Sequence, residues 1–173
     1  MNPLQRPNIL LILVDEQRAA RPYDPQLPLP AQARLRAQGL SLAQHYIAAT
    51  ACAPSRTSLF TGHYPSLHGV SQTDGMAKSA SDVTWLAPNT LPTLGHYLTA
   101  AGYQTHYRGK WHVSHADLLD AHHKSLPTND KQGNLLPDNI AAYKAADPLA
   151  PFGFSGWIGP EPHGADPANT GFV

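Results

Sequence analysis

Residues 52–62 read C-A-P-S-R-T-S-L-F-T-G and are the most informative stretch of this chain. They include Cys52, the single cysteine among 173 residues. A lone cysteine is usually a small buried hydrophobic residue. Here Pro54 follows, a residue tolerated in the first turn of a helix, and Gly62 is a typical helix stop. The stretch therefore predicts a helix with Cys52 at its N-terminal entrance.

The start of that helix is suited to binding an anion. Unpaired backbone N–H groups and the helix dipole place positive charge at a helix N-terminus. Arg56 lies about one turn in, and its planar guanidinium can offer paired hydrogen bonds to an oxyanion. The pattern favours Cys52 as a nucleophile in an anion-binding site. The alternative is a buried cysteine beside a helix start.

A second motif, G-Y-Q-T-H-Y-R-G-K-W-H, occupies residues 102–112. Lys110 and His112 are two residues apart, so on an extended segment their side chains face the same side. A cation and a titratable ring on one side suit an anionic substrate. The alternative is a solvated lysine beside a histidine of the core.

An acidic pair, Asp15 and Glu16, directly follows the apolar run at residues 8–14. A short apolar run without alternation is typical of a parallel strand buried on both faces. Two adjacent carboxylates at the carboxyl end of such a strand predict a site for a hard cation such as Ca²⁺ or Mg²⁺. The alternative is a surface turn with two solvated acids.

Strand and helix patterns alternate over the first 108 residues, which predicts an α/β fold. The predicted elements are strands at 8–14, 40–48 and 103–108, and helices at 30–38, 54–60 and 90–101. Residues 114–173 are rich in proline and glycine and are predicted to be mostly loops.

Composition excludes several classes of partner. The formal net charge is zero and no basic stripe is present, so we expect no nucleic-acid binding. The apolar run at residues 9–14 is shorter than the apolar region of a signal peptide, which needs roughly 7–15 residues, and it ends in two acids with no small-residue cleavage site. It is also too short to span a bilayer. The sequence thus predicts a cytoplasmic protein without membrane association.

The two motifs resemble the signatures of the type I sulfatases, which belong to the alkaline phosphatase superfamily. The first signature is matched at Cys52, Pro54, Ser55, Arg56, Thr61 and Gly62. The second resembles a strand leading into Gly-Lys-Trp-His. The resemblance implies a mixed, mostly parallel sheet flanked by helices. It also implies that residues 1–173 are the N-terminal part of one catalytic domain, a truncated chain.

By resemblance, a maturation enzyme oxidises Cys52 to formylglycine, whose hydrated aldehyde attacks a sulfate ester. The implied substrate is a small sulfate ester or a sulfated sugar. Arg56 and Lys110 would stabilise the transferring sulfate, and His112 would hydrogen-bond the formylglycine diol. Related enzymes leave a phosphonate or phosphate monoester hydrolase as an alternative, and a non-catalytic fragment as another.

The resemblance also implies a divalent metal, usually Ca²⁺, with Mg²⁺ or Mn²⁺ as alternatives. Its expected ligands in this chain are Asp15, Glu16 and the modified residue 52. Near the end of the chain, the sequence W-I-G-P-E-P-H-G at 157–164 resembles a loop of some bacterial sulfatases. Glu161 and His163 in that loop are expected to line the substrate pocket.

Overall fold

A computed structural model of the chain describes residues 6–17, 28–74 and 79–160. The chain divides into two compact units, Met1–His45 and Tyr46–Val173. The helices are α1 (Pro30–Gln38), α2 (Cys52–Thr61), α3 (Pro65–His68), α4 (Leu94–Ala100) and α5 (Pro137–Ala146), with 3₁₀ turns at Ala80–Asp82 and Ala150–Phe152. Each described helix is too short to carry the apolar stretch that crossing a bilayer requires.

The apolar run at residues 8–14 is not a strand, so this prediction was wrong. Its apolar side chains are exposed, from 39% for Leu13 to 83% for Leu10. A strand buried on both faces needs neighbouring strands for its N–H and C=O groups, and helices over its faces. The apolar sequence of residues 8–14 fits such a strand, but the described residues provide neither neighbouring strands nor covering helices for it.

The strands predicted at 40–48 and 103–108 are also absent. The second segment forms one isolated parallel bridge, between His106 and Ser155. The Tyr107 N–H donates to the Ser155 carbonyl at 3.1 Å, and the Ser155 N–H donates to the Thr105 carbonyl at 3.0 Å. No strand is present within the described ranges, so the expected parallel sheet stays a prediction.

Two helices follow the sequence prediction. Helix α1 spans Pro30–Gln38, with proline in its first turn and Gly39 after its last residue. Helix α2 begins at Cys52, two residues before the proline that predicted it. It ends at Gly62, whose φ of +73° is left-handed and whose N–H donates to the Ser58 carbonyl at 2.9 Å.

Helix α4 begins later than the sequence predicted. Thr90 was expected to cap it, but the Thr90 hydroxyl donates to the Ala87 carbonyl at 2.7 Å and closes a turn instead. The N-cap is Thr93, whose N–H donates to Nδ1 of His96 at 3.0 Å. A side chain three residues into the helix thus pairs with the cap backbone, which is the geometry of a capping box.

An aromatic cluster forms the centre of the second unit. Its members are Phe60, Tyr107, Trp111, Phe152 and Phe154, with neighbouring ring centroids 5.2–5.8 Å apart. Tilted and edge-to-face pairs of this kind each contribute about 0.5–1.5 kcal/mol beyond the area they bury. The cluster fixes α2 against the segment that carries the second motif.

Helix α4 packs closely against the end of the turn at Ala150–Phe152 because a glycine lies on each side of the contact, Gly95 in the helix and Gly153 after the turn. A Cβ at Gly95 would lie 2.6 Å from the carbonyl oxygen of Gly153, so no larger residue fits there. The Thr93 hydroxyl donates to the Phe152 carbonyl across the same contact. This close approach fixes the turn that carries Phe152, whose ring packs against Trp111 in the aromatic cluster.

Two loops with the same hydrogen-bond pattern follow one another. Each begins with an aspartate, Asp120 or Asp130, and is closed by an antiparallel bridge. The Oδ1 atom accepts N–H groups two and four residues later, at 2.8 and 2.9 Å in the first loop and 2.9 and 2.8 Å in the second. Both need a left-handed residue at the same position, which is His123 (φ +59°) in one and Gly133 (φ +86°) in the other.

Helix α5 corrects the prediction that residues 114–173 are mostly loops. It spans Pro137–Ala146, and Tyr143 on it is fully buried. The Tyr143 hydroxyl accepts the Leu118 N–H and donates to the Leu126 carbonyl, both at 3.2 Å. Because these two residues flank the first aspartate loop, α5 anchors that loop to the core.

We expect His123→Gly to stabilise the protein by about 0.5–1 kcal/mol, since glycine adopts the left-handed conformation without a Cβ penalty. Urea unfolding of the variant measures this change. The matched control is Gly133→Ala, where a Cβ meets nothing within 4 Å and the cost is conformational only. The control should lose about 1 kcal/mol, and a His123→Gly variant that loses stability would contradict the account.

Candidate active site

The site is assembled around Cys52, the first residue of α2. The thiol is half-buried, and its Sγ lies 3.3 Å from the Thr73 hydroxyl. The unpaired N–H groups of the first helical turn and the helix dipole lie beside it. Cys52 therefore occupies the helix entrance that the sequence predicted.

His112 is the side chain with the largest effect on that thiol. It hydrogen-bonds to Cys52, and its Nε2 lies 2.7 Å from Oδ1 of Asp74. The histidine side chain is only 1% exposed and that of the aspartate 19%. The ring centroid of Trp85 lies 5.3 Å from that of His112. Cys52, His112 and Asp74 thus form a connected series from the thiol to an acid, and the Trp85 ring packs beside His112.

The pKa of Cys52 is lowered from 9.0 to about 6. The hydrogen bond from His112 is the largest cause, and partial burial opposes it. The Thr73 hydroxyl and the charges of His112 and Lys110 lower the pKa further. At neutral pH the unmodified residue is thus mostly a thiolate, which is the nucleophilic form of a cysteine.

The Arg56 side chain fixes the second motif by a hydrogen bond to the backbone of that motif. Its Nη1 donates to the Lys110 carbonyl at 2.7 Å, and the Tyr107 hydroxyl donates to the same carbonyl at 2.6 Å. Gly109 supplies the left-handed turn before it, with φ +83°. The Arg56 residue is 8% exposed. Because of this contact, the start of α2 and the Lys110 backbone are fixed to each other.

Lys110 and His112 both act on Cys52, as the spacing predicted that they would share a side. The segment is not a regular strand, however, because His112 has a left-handed φ of +53°. The neighbouring Trp111 is fully buried in the aromatic cluster, and its Nε1 donates to the Ser114 hydroxyl at 2.8 Å. Packing of Trp111 thus helps to fix where its two neighbours point.

Asp15 and Glu16 lie in the first unit, in an exposed turn at the end of the apolar run. Glu16 has a left-handed φ of +56°. Ca²⁺ takes roughly 6–8 oxygen ligands. In the part of the chain that the structure describes, no group of three or more acidic, histidine or cysteine side chains is arranged to hold a metal. The described donors do not make up a cage, and the Ca²⁺ site stays a prediction.

Sequence reasoning missed Thr73 and Asp74, which contact Cys52 and His112. Neither belongs to a recognisable motif, and the only signal is a polar pair in an otherwise irregular segment. The loop with Glu161 and His163 lies outside the described residues. Four other histidines, His106, His115, His122 and His123, are exposed.

A model of the Sulfatase family matches residues 7–130, which include every element of the site above. The chain belongs to the sulfatase family. Membership implies the alkaline-phosphatase-like α/β fold, although the described part of this sulfatase chain does not form the sheet.

The chain is also similar to curated sulfatases. It is 32% identical to human arylsulfatase H over 116 residues, which cover 62% of this chain and 20% of that protein. It is 33% identical to human N-acetylglucosamine-6-sulfatase over 110 residues, 62% of this chain and 19% of that protein. It is 32% identical to an ulvan-active sulfatase of Formosa agariphila over 133 residues, 74% of this chain and 23% of that protein. The chain spans about a fifth of the length of these relatives, and no solved structure matches it significantly.

We expect alkylation of unconverted Cys52 by iodoacetamide to accelerate through a midpoint near pH 6, because its pKa is lowered to about 6. The reactive thiolate is lost below that pH and fully present above it. Peptide mass spectrometry over a pH series measures the rate.

His112→Ala removes the largest cause of the lowered pKa and should move the midpoint upward. The control is His122→Ala, an exposed histidine in the first aspartate loop, which should leave the midpoint unchanged. A midpoint near 9 in the unaltered protein would contradict the described geometry.

Proposed function

We propose that the second unit carries the nucleophile of a sulfatase, with Cys52 converted to formylglycine, and that the protein hydrolyses sulfate esters. The observation that carries this proposal is the position of Cys52 at the start of α2, where a hydrogen bond from His112 and the charge of Lys110 lower its pKa. The family match supports the reaction class. The finer points, formylglycine and the ester type, are proposals.

The electrostatics around residue 52 suit a sulfate ester, which is a monoanion. The N-terminus of α2 contributes partial positive charge, and Lys110 contributes a full charge. Such charges stabilise a transferring sulfuryl group most when they are already in place before the reaction. Lys110 would bind a sulfate oxygen, and Arg56 would support it through the Lys110 carbonyl.

The proposed reaction has two steps. One hydroxyl of the hydrated formylglycine forms a bond to sulfur, and the bond from sulfur to the ester oxygen breaks with its electron pair on the departing alcohol, which takes a proton. The second hydroxyl then gives its proton to His112, the carbonyl re-forms, and the bond to sulfate breaks with its electron pair on sulfate. A covalent intermediate divides one difficult displacement into two easier ones. Water then hydrates the aldehyde again.

The first test is the mass of the peptide that contains residue 52. Co-expression with a formylglycine-generating maturation enzyme should replace the thiol with an aldehyde and lower the mass of that peptide. Cys52→Ala is the matched control, because it removes the thiol and cannot be converted. A peptide that keeps its cysteine under these conditions would count against the proposal.

The second test is turnover of a chromogenic aryl sulfate by the converted protein. We expect Lys110→Ala to lower kcat/KM by about 100-fold, because it removes a charge that faces the transferring group. Lys124→Ala, an exposed lysine in the first aspartate loop, should leave the rate unchanged. Faster turnover of an aryl phosphonate than of the sulfate would favour the phosphonate hydrolase alternative.

A cavity of about 510 Å³ has Trp85 in its wall, and we propose that it accepts the alcohol part of the ester. Its volume falls in the range of ordinary ligand pockets. The apolar part of its wall is formed by Trp85, Leu86, Pro88, Ala116, Leu118 and Phe152. Trp85 also packs against His112, with ring centroids 5.3 Å apart, and this ring pair links the cavity wall to the site. An apolar wall favours an aryl or other weakly polar alcohol over a highly charged one.

We expect Ala116→Phe to fill the cavity and raise KM for a bulky aryl sulfate about tenfold, the equivalent of about 1.4 kcal/mol. KM and kcat for a short alkyl sulfate should change little, since its alcohol does not reach the new ring. The control is Ala121→Phe, at an exposed position in the first aspartate loop. Equal losses for both substrates would show that the cavity does not bind the alcohol.

A further inference from the structure

We infer that His68 is a pH-sensitive connection in the fold: its neutral ring joins Ser58 on α2 to the backbone of Val70, and protonation of the ring breaks this connection. These three residues form the His68 link. The inference concerns the stability of the chain and does not rest on the proposed function.

The contacts of the His68 ring determine its tautomer. The Val70 N–H donates to Nδ1 at 3.1 Å, and because a backbone N–H can only donate, Nδ1 carries no proton. The proton of the neutral ring therefore lies on Nε2, which is 3.0 Å from the Ser58 hydroxyl oxygen and donates to it. Both ring nitrogens have a partner, and the acceptor at Nδ1 exists only in the neutral form.

Burial of the His68 link makes protonation of the ring unfavourable. His68 and Ser58 are each 8% exposed, and Val70 is fully buried. An imidazolium carries a proton on both nitrogens, so its Nδ1–H would face the Val70 N–H and the hydrogen bond between them would be lost. Water has little access to these two donors, and a buried donor without an acceptor destabilises the fold.

The neighbouring charge also favours the neutral ring. Burial lowers the pKa of His68, and the charge of His63, in the turn between α2 and α3, lowers it further. Two histidines close to each other cannot both be protonated without repulsion. Protonation of His63 in mild acid therefore opposes protonation of His68.

The elements around the His68 link contain no acid that could stabilise an imidazolium. Aspartate and glutamate are absent from α2, from α3 and from α4, which contacts α2. The nearest acid along the chain is Asp74, which pairs with His112. Cys52 lies about 9 Å before Ser58 along the axis of α2. The other titratable side chains of these helices and of the turn are Arg56, His63, Tyr64, His96 and Tyr97.

The His68 link therefore stabilises the protein at neutral pH and is lost in acid. A histidine of the unfolded chain takes up its proton at about pH 6.5. His68 in the folded chain takes it up at a lower pH, so between the two values the unfolded state binds more protons. The stabilisation is fully present above about pH 6.5 and is lost as the pH falls through the pKa of the folded ring. Because α2 begins with Cys52, acid weakens the packing of the helix that carries the proposed nucleophile.

The first readout is the protonation of His68, followed by long-range ¹H–¹⁵N correlation over a pH series in the unaltered protein. We expect the proton on Nε2 at about pH 7.5 and a titration midpoint below about pH 6.5. This measurement needs no variant. A proton on Nδ1 at neutral pH, or a midpoint at or above that of an unfolded histidine, would overturn the inference.

The second readout is hydrogen exchange of the Val70 amide, expressed as a protection factor so that the pH dependence of intrinsic exchange is removed. Protection should fall by about fivefold to tenfold as the pH is lowered through the midpoint, because the acceptor of this N–H is lost. The control is the Ile140 amide, which donates to the Leu136 carbonyl at 3.0 Å on α5, a helix without histidine. Equal losses at both amides would show general loosening and contradict a specific link.

The third readout is urea unfolding of His68→Asn at about pH 7.5 and about pH 5.5. Asparagine can accept the Val70 N–H with its side-chain oxygen and does not titrate. Acid should therefore lower the urea midpoint of the unaltered protein more than that of the variant. His122→Asn removes an exposed histidine of the first aspartate loop and should keep the full acid effect. A folded His68→Asn protein with an undiminished acid effect would show that the inference is wrong, and if this variant does not fold, the titration of His68 in the unaltered protein decides.

Discussion

The hydrogen bond from Arg56 to the Lys110 carbonyl is the interaction on which the site depends. It joins the first turns of α2 to a segment more than fifty residues later, and Tyr107 donates to the same oxygen. A buried guanidinium is costly unless its hydrogens are bonded, so this contact favours one register between the two segments. Arg56 is thus a structural residue of the motif as well as a charged one. Its expected contact with the transferring sulfate stays a prediction.

The residues at the centre of the site could be predicted from the sequence. The residues that contact and orient them could not. Cys52 could be placed at a helix entrance because proline and glycine mark where a helix begins and ends. Lys110 and His112 were expected on one side because alternate residues of an extended segment share a face. His112 is left-handed instead, so packing of the buried Trp111, and not strand geometry, fixes the two side chains. No sequence motif singles out Asp74, since an aspartate can occur at any position of a loop. Residues that act through another side chain are set by tertiary contacts, which a single sequence does not display.

The fold shows the same division between local and non-local information. Helices α1 and α2 depend on their own first turns and stops, and both were predicted. Strands at 8–14 and 103–108 depend on partners elsewhere in the chain, and neither forms in the described residues. Helix α5 was missed because its proline and alanines give no amphipathic pattern, and one buried side chain, Tyr143, anchors it.

The exposed apolar run at residues 8–14 is a segment through which copies of this chain could associate. It is short, apolar and uncharged, and has no proline within it, which is the composition of segments that stack edge to edge between molecules. Pro7 precedes it and Asp15 and Glu16 follow it. A proline and like charges at the ends of an apolar segment act as gatekeepers that oppose self-association. The acidic pair that the sequence marks as a cation site is therefore also placed where charge opposes association of this segment between copies of the chain.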